Sequence, residues 1–269
     1  MPIAVITGAT RGLGRALAFD FAREGYSVYA TGRAQNTLDK LGVEARRAKL
    51  DIRAVRADAA TEEGAETLAR QLDSEGAKPD VLIHNAGLLG DRVELAVYPL
   101  ETWDAVMATN VRGPFLLTQR LLPKLAPNAA VIFVSSGIVD DVRPRWGAYY
   151  VSKVAVDAVA ALYALELKPK GIRVFSVNPG PLRTVMRAEA FPKEDPETVP
   201  APEERTGVFL WLAREAVIEL TGSRYEAQDF RGQRSGVRGQ GGSGSGLQER
   251  TARQQRTSPD TSTLTPPDS

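Results

Sequence analysis

The feature that most constrains the fold is an alternation. Short β-branched or apolar runs stand at Ile3–Thr7, Ser27–Thr31, Ile52–Ala57, Val81–His84, Ala130–Ser135 and Arg173–Val177, with a last one near Ile218–Tyr225. Between them lie stretches with helical spacing, such as Leu13-Leu17-Phe21, Leu68-Leu72, Val106 to Leu122 and Val154 to Leu167. Strands alternating with helices build βαβ units, and right-handed crossovers place helices on both faces of a parallel sheet. The expected fold is α/β, a doubly wound parallel sheet of about seven strands in one domain. That domain spans residues 1–230. From 231 to 269 the chain is Gly, Ser, Thr, Gln, Arg and Pro without an aromatic residue. Such a segment buries too little apolar surface to offset chain entropy, so a disordered tail is expected there.

Composition removes several function classes. There is no cysteine, and His84 is the single histidine, which excludes thiolate metal sites, multi-histidine metal sites and cysteine nucleophiles. His84 itself reads as a satisfied core side chain. Lys plus Arg is 34 against 33 for Asp plus Glu, a balance that argues against nucleic acid or an anionic membrane as the main partner. No run approaches the roughly 18 apolar residues of a membrane span, and Met1 to Thr7 lacks the pattern of a secretory signal. The expectation is a cytoplasmic protein with no nucleic acid or membrane partner.

The first strand runs straight into Thr7-Gly8-Ala9-Thr10-Arg11-Gly12-Leu13-Gly14 and then a helix. Glycines allow positive φ and close approach of a ligand, and a helix N-terminus offers free N–H groups to a phosphate. The same spacing also suits a tight turn with no ligand. The second strand ends in Thr31-Gly32-Arg33, without the acid that binds a ribose 2′-OH in NAD-specific folds. Arg33 and Arg11 suit a 2′-phosphate instead, or are solvated surface residues.

Tyr149 and Lys153 are i and i+4 on one helix and share a face, while Tyr150 is i,i+3 from the same lysine. An ammonium within a few ångströms favours a phenolate, so a tyrosine beside Lys153 is expected to have a lowered pKa and to exchange protons. Ser135-Ser136 ends the fifth strand at the carboxyl edge of the sheet, where open α/β folds bind ligands. A serine there either holds a substrate oxygen or caps a turn.

Together these residues resemble the short-chain dehydrogenase/reductase family, over roughly residues 3 to 225. Thr7, Gly8, Thr10, Arg11, Gly12, Leu13 and Gly14 look like its TGxxxGxG cofactor loop. Asp58 matches the acid facing the adenine ring, and His84-Asn85-Ala86-Gly87 resembles the NNAG segment with His84 in place of the first Asn. Asn110 matches the helix asparagine of the catalytic tetrad. Ser136 precedes Tyr149 by the family's thirteen-residue interval, which selects Ser136 and Tyr149 over their neighbours, and Lys153 completes YxxxK. Asn178-Pro179-Gly180 with Thr184 resembles the loop that meets the nicotinamide.

The resemblance implies a Rossmann fold and an NADP(H)-dependent oxidoreductase, with NAD(H) second. Hydride would pass between the cofactor and a carbonyl or secondary alcohol. Ser136 would hold the substrate oxygen, Tyr149 exchange its proton, Lys153 bind the nicotinamide ribose and lower the tyrosine pKa, and Asn110 hold a water beside Lys153. The alternatives are a non-catalytic NADP(H)-binding regulator, or an epimerase or dehydratase on the same fold. Substrate-pocket segments are expected at Leu88–Glu94, Ile138–Trp146 and Val185–Val199, the last as a mobile lid. The helices Trp103–Leu122 and Val154–Leu167 are apolar on more than one face, which points to a homodimer, with a tetramer as the alternative.

Overall fold

A computed structural model describes residues 1–230. The expected disordered tail, 231–269, lies outside the described residues. Seven parallel strands form one sheet: β1 (Ile3–Ile6), β2 (Ser27–Gly32), β3 (Ile52–Arg56), β4 (Val81–His84), β5 (Ala130–Val134), β6 (Arg173–Asn178) and β7 (Arg224–Glu226). Their order is β3-β2-β1-β4-β5-β6-β7, so the winding reverses between β1 and β4. Ile6 stands opposite Ala30 on one side and Ile83 on the other.

Alternating strand residues feed two cores because successive side chains leave opposite faces of a strand. On one face Ile6, Val28, Ile132 and Phe175 pack against α1 (Gly12–Arg23), α2 (Gln35–Arg47) and α8 (Gly207–Arg214), through residues such as Leu17, Leu41 and Phe209. On the other, Val5, Leu82, Val131 and Phe133 pack against α3 (Glu62–Ser74), α5 (Gly113–Leu121) and α6 (Gly147–Leu167). Strands buried on both faces read as unbroken apolar runs, which is why these were legible in the sequence.

Three expectations need adjustment. The last strand is not Ile218–Tyr225: Ile218–Leu220 is a 3-10 turn, Gly222 turns the chain at φ +87°, and β7 begins at Arg224. Edge strand β7 is only partly buried and carries Arg224 and Glu226, so no apolar run marks it. The helix expected over Trp103–Leu122 is instead α4 (Leu100–Met107), a π-helical turn at Ala108–Arg112, and then α5. Finally, Gly147–Lys170, which is α6 and the short turn after it, is long and apolar enough by composition to cross a membrane. Here it lies against the sheet, burying Val156, Ala160, Ala164 and Leu167. The lid segment contains α7 (Val185–Ala190) and a 3-10 turn at Pro196–Thr198.

Candidate active site

The turn after β1 is shaped by backbone contacts. Gly8 has φ +64°, and a Cβ there would sit 2.8 Å from the Ala86 Cα. A Cβ on Gly14 would overlap both the Gly8 carbonyl oxygen and the Asn85 amide nitrogen. Asn85 fills that space, donating from Nδ2 to the carbonyl oxygens of Thr7 (2.9 Å) and Gly8 (3.1 Å). The Thr7 hydroxyl accepts from the backbone N–H groups of Asn85 and Ala86, both at 3.0 Å. The loops after β1 and β4 are thereby stitched together. Helix α1 starts behind them with no side-chain cap and no acid in its first turn, leaving its N–H groups for an anion.

A cavity of about 610 Å³ opens along the carboxyl edge of the sheet. Every candidate residue except Thr7 and Asn110 lines it: Gly8, Thr10, Arg11, Gly12, Leu13, Gly14, Arg33, Asp58, Asn85, Ala86, Gly87, Ser136, Tyr149, Lys153, Pro179, Gly180 and Thr184. Thr7 works one layer behind. Arg11 and Arg33 are exposed and have no carboxylate partner among the described residues. Asp58 also caps its own turn, accepting from the Ala60 N–H at 2.9 Å.

At the other end of the cavity the two serines part company. Ser135 donates its hydroxyl to Asp157 Oδ2 at 2.8 Å. The Ser136 hydroxyl accepts only a long 3.4 Å contact from the Ile138 N–H and faces the Tyr149 phenol. Tyr150 does not line the cavity. Ser135 lines the cavity as well, but its hydroxyl is committed to Asp157, whereas that of Ser136 faces Tyr149.

The electrostatics differ from expectation. Burial pushes the Tyr149 phenol above its usual value, and the Ser136 hydrogen bond only partly opposes this. Lys153 does not pull it down. Its Nζ lies 5.7 Å from the Tyr149 ring centre and donates to the Val134 carbonyl oxygen at 2.8 Å. Burial lowers the lysine itself to about 8, with the Asp157 carboxylate opposing.

Asn110 sits buried in the π-helical turn. Its Oδ1 accepts from the Leu88 N–H at 2.8 Å, and its Nδ2 donates to the Leu88 carbonyl and the Ser152 hydroxyl, both at 2.9 Å. Both amide protons are therefore committed to holding the segment after β4 against α6. The water expected at this asparagine would then have to donate to one of its oxygens.

All three expected pocket segments contribute lining: Leu88 and Leu89; Ile138, Asp141, Arg143 and Trp146; Val185, Met186, Arg187, Ala190 and Phe191. Trp146 packs 5.8 Å, centre to centre, from both Tyr149 and Phe191. Arg92 covers the outer face of Trp146 at 4.0 Å and donates to the Arg145 and Ala190 carbonyls, joining the three segments. Arg143 pairs with Asp141 and Arg187 with Glu194. Gln228, beside Gly180, lines the cavity and was not signalled by any motif. His84 is buried, shares a 2.7 Å hydrogen bond with Thr118 and packs at a tilt against Phe133, a core side chain as expected.

Known proteins place this geometry. Residues 2–195 match the family described as short chain dehydrogenase. The chain is 35% identical over 239 residues to the oxidoreductase YciK of Escherichia coli K12, an alignment covering 85% of this chain and 92% of that protein. It is 31% identical over 231 residues to the 3-oxoacyl-(acyl-carrier-protein) reductase FabG of Thermotoga maritima, covering 82% and 93%. Among solved structures it is similar to a short chain dehydrogenase of Shigella flexneri 2a complexed with NADP, with a TM-score of 0.78 and 34% identity over 84% of this chain and 97% of that one. A short chain dehydrogenase of Escherichia coli CFT073 complexed with NADPH has the same TM-score and identity, covering 84% and 96%. With the sheet order, the glycine turn and the paired tyrosine and lysine already in hand, these similarities make the chain a member of the short-chain dehydrogenase family of oxidoreductases.

Proposed function

We propose that the protein is an NADP(H)-dependent oxidoreductase acting on a carbonyl or secondary alcohol, with Tyr149 as general acid and base. The observation that carries this reading is convergence: Ser136, Tyr149 and Lys153 line the same cavity as the glycine turn. The turn fits a dinucleotide because Gly8, Gly12 and Gly14 line the cavity without side chains and the uncapped start of α1 faces it. Arg33 and Arg11 fit a 2′-phosphate, since both lack a carboxylate partner among the described residues and guanidinium matches phosphate geometry. The NADP and NADPH in the Shigella and Escherichia relatives support the same choice.

The nicotinamide, when bound, supplies or accepts the hydride. The chain positions and protonates. Ser136 offers its hydroxyl to the substrate oxygen. Tyr149, kept protonated by burial, donates to that oxygen as a carbonyl is reduced. Lys153, which lines the same cavity, would hold the cofactor ribose, and Trp146 with Phe191 forms an aromatic wall for the substrate. The test is NADPH oxidation against a panel of aldehydes, ketones and diketones. We expect turnover of at least one compound and a loss of at least about a hundredfold in Tyr149→Phe. A fully active Tyr149→Phe would overturn the assignment.

The same proposal includes a homodimer. Phe115 on α5 and Val154, Leu162 and Leu165 on α6 are exposed, Leu165 by 75%. An apolar stripe beyond the one packed on the sheet calls for a partner. Light scattering should give twice the chain mass, falling to one chain mass in Leu165→Glu; a monomeric wild type at micromolar concentration would contradict this.

A further inference from the structure

Edge strand β7 carries a cation that the reading above does not use. The Arg224 side chain is only 19% exposed and touches three carboxylates: Asp140 Oδ2 at 2.8 Å, Glu226 Oε1 at 3.2 Å and Asp157 Oδ2 at 3.5 Å. It also donates to the Ser136 carbonyl oxygen at 3.3 Å, a residue 88 positions away. Glu226 carries the connection onward. Its other oxygen accepts from Asn178 Nδ2 at 2.5 Å, and Asn178 Oδ1 accepts from the Gly180 N–H at 3.0 Å. The two ends also lie close together, since a Cβ added to Gly137 would fall 3.0 Å from Asn178 Nδ2. A continuous path therefore runs from Ser136 through Arg224, Glu226 and Asn178 to Gly180.

Stability alone is a poor reason for this arrangement. Withdrawing charges from water is unfavourable, and well-packed apolar residues often hold a strand as firmly. The cluster is also incompletely satisfied: Arg224 Nε and Asp157 Oδ1 have no hydrogen-bond partner among the described residues. What a planar guanidinium adds is direction, because its fork fixes several acceptors at once.

We propose that Arg224 is a positioning residue that holds the Ser136 end of β5 and the Asn178–Gly180 turn after β6 in one relative geometry. The linkage itself stands on the contacts above. Its consequence, that the substrate side and the cofactor side of the cavity are set together, rests on the proposed function.

The test separates the two. Hydrogen exchange is followed in the full chain, without cofactor, for wild type, Arg224→Met, Arg224→Lys and Glu226→Ala. In Arg224→Met, segments 135–140 and 178–182 should both exchange about tenfold faster, while β1 to β3 are unchanged. Arg224→Lys should recover part of the protection. Glu226→Ala, which leaves Ser136 bonded to Arg224, should loosen 178–182 alone and serves if Arg224→Met does not fold. NADPH binding, read by its fluorescence, should weaken about tenfold in Arg224→Met but less than about twofold when Asn178→Ala is already present, because both changes break one path. A core variant, Leu212→Ala, should lower the melting temperature without moving NADPH affinity. Unchanged exchange at either segment in Arg224→Met overturns the linkage, and so do fully additive effects of Arg224→Met and Asn178→Ala on NADPH binding. A wild type that binds no NADPH while the exchange pattern appears would overturn the proposed cofactor and leave the linkage standing.

Discussion

Lys153 Nζ donates to the Val134 carbonyl oxygen at 2.8 Å, and among the described residues that is the one hydrogen bond the buried ammonium makes in place of the water it has given up. Burial lowers the group from 10.5 to about 8, against the pull of Asp157. Between those values the unfolded chain binds more protons than the folded one, so stability rises with pH across that window, and the whole penalty is present below it. Lys153→Met should therefore stabilise the cofactor-free fold by about 2 kcal/mol at pH 7, after allowing for the lost hydrogen bond, while removing activity. The gain should shrink as the pH approaches 10.5, the unfolded value. Urea unfolding of both proteins at pH 7 and pH 10 checks this, and a less stable variant at pH 7 refutes it.

Cofactor choice should turn on Arg33. It stands just past β2, lines the cavity and has no carboxylate partner among the described residues. Arg33→Asp replaces a phosphate partner with a repelling charge, so NADPH binding should fall by about a hundredfold. NADH, lacking the 2′-phosphate, should lose less than about threefold. Titration with both nucleotides decides it; equal losses would show that Arg33 does not read the phosphate.

Two helix glycines should respond in opposite directions to alanine. Gly42 in α2 has only the flexible end of Arg46 near its absent Cβ, so Gly42→Ala should raise stability by about 0.5–1 kcal/mol through helix propensity. In Gly14→Ala, within α1, the new methyl would overlap the backbone oxygen of Gly8 and the side chain of Asn85. Loss of at least about 2 kcal/mol and of NADPH binding is expected. Thermal melts with nucleotide titration test both, and a stable, NADPH-binding Gly14→Ala would show that the turn is looser than its contacts imply.

What the sequence disclosed was local or periodic. The doubly wound sheet followed from apolar runs, most of them buried on both faces, and Tyr149 with Lys153 from a single helical turn. Gly14 could be placed on the glycine turn and Asn85 in the segment after β4, although their mutual contact joins two strands and is a product of packing. The direction of the Tyr149 shift was misread because spacing gives the distance to a charge, whereas desolvation depends on the walls of a cavity built from β5, α6 and α7. Arg224 and Asp157 escaped notice for a related reason. Each is an ordinary charged residue in its own segment, and only the fold brings them to Ser135 and Ser136. Strand β7 was misplaced because a three-residue edge strand with charged, half-buried residues lacks the apolar pattern that marked the strands inside the sheet.

His84 should make the fold acid-sensitive. It is buried against Phe133, shares a hydrogen bond with Thr118, and burial lowers it from 6.5 to about 3. The folded protein keeps the imidazole neutral while the unfolded chain takes up a proton below 6.5, so stability falls as the pH drops from about 6.5 toward 3. Between pH 7 and pH 5 this one group should remove about 2 kcal/mol, since each pH unit inside the window is worth about 1.4 kcal/mol. His84→Gln keeps an amide able to reach the Thr118 hydroxyl but cannot titrate. Urea unfolding at the two pH values should therefore show wild type losing about 2 kcal/mol more than the variant, whatever their difference at pH 7. Parallel losses in the two proteins would mean that the imidazole becomes protonated without unfolding, and that the core around β4 admits water.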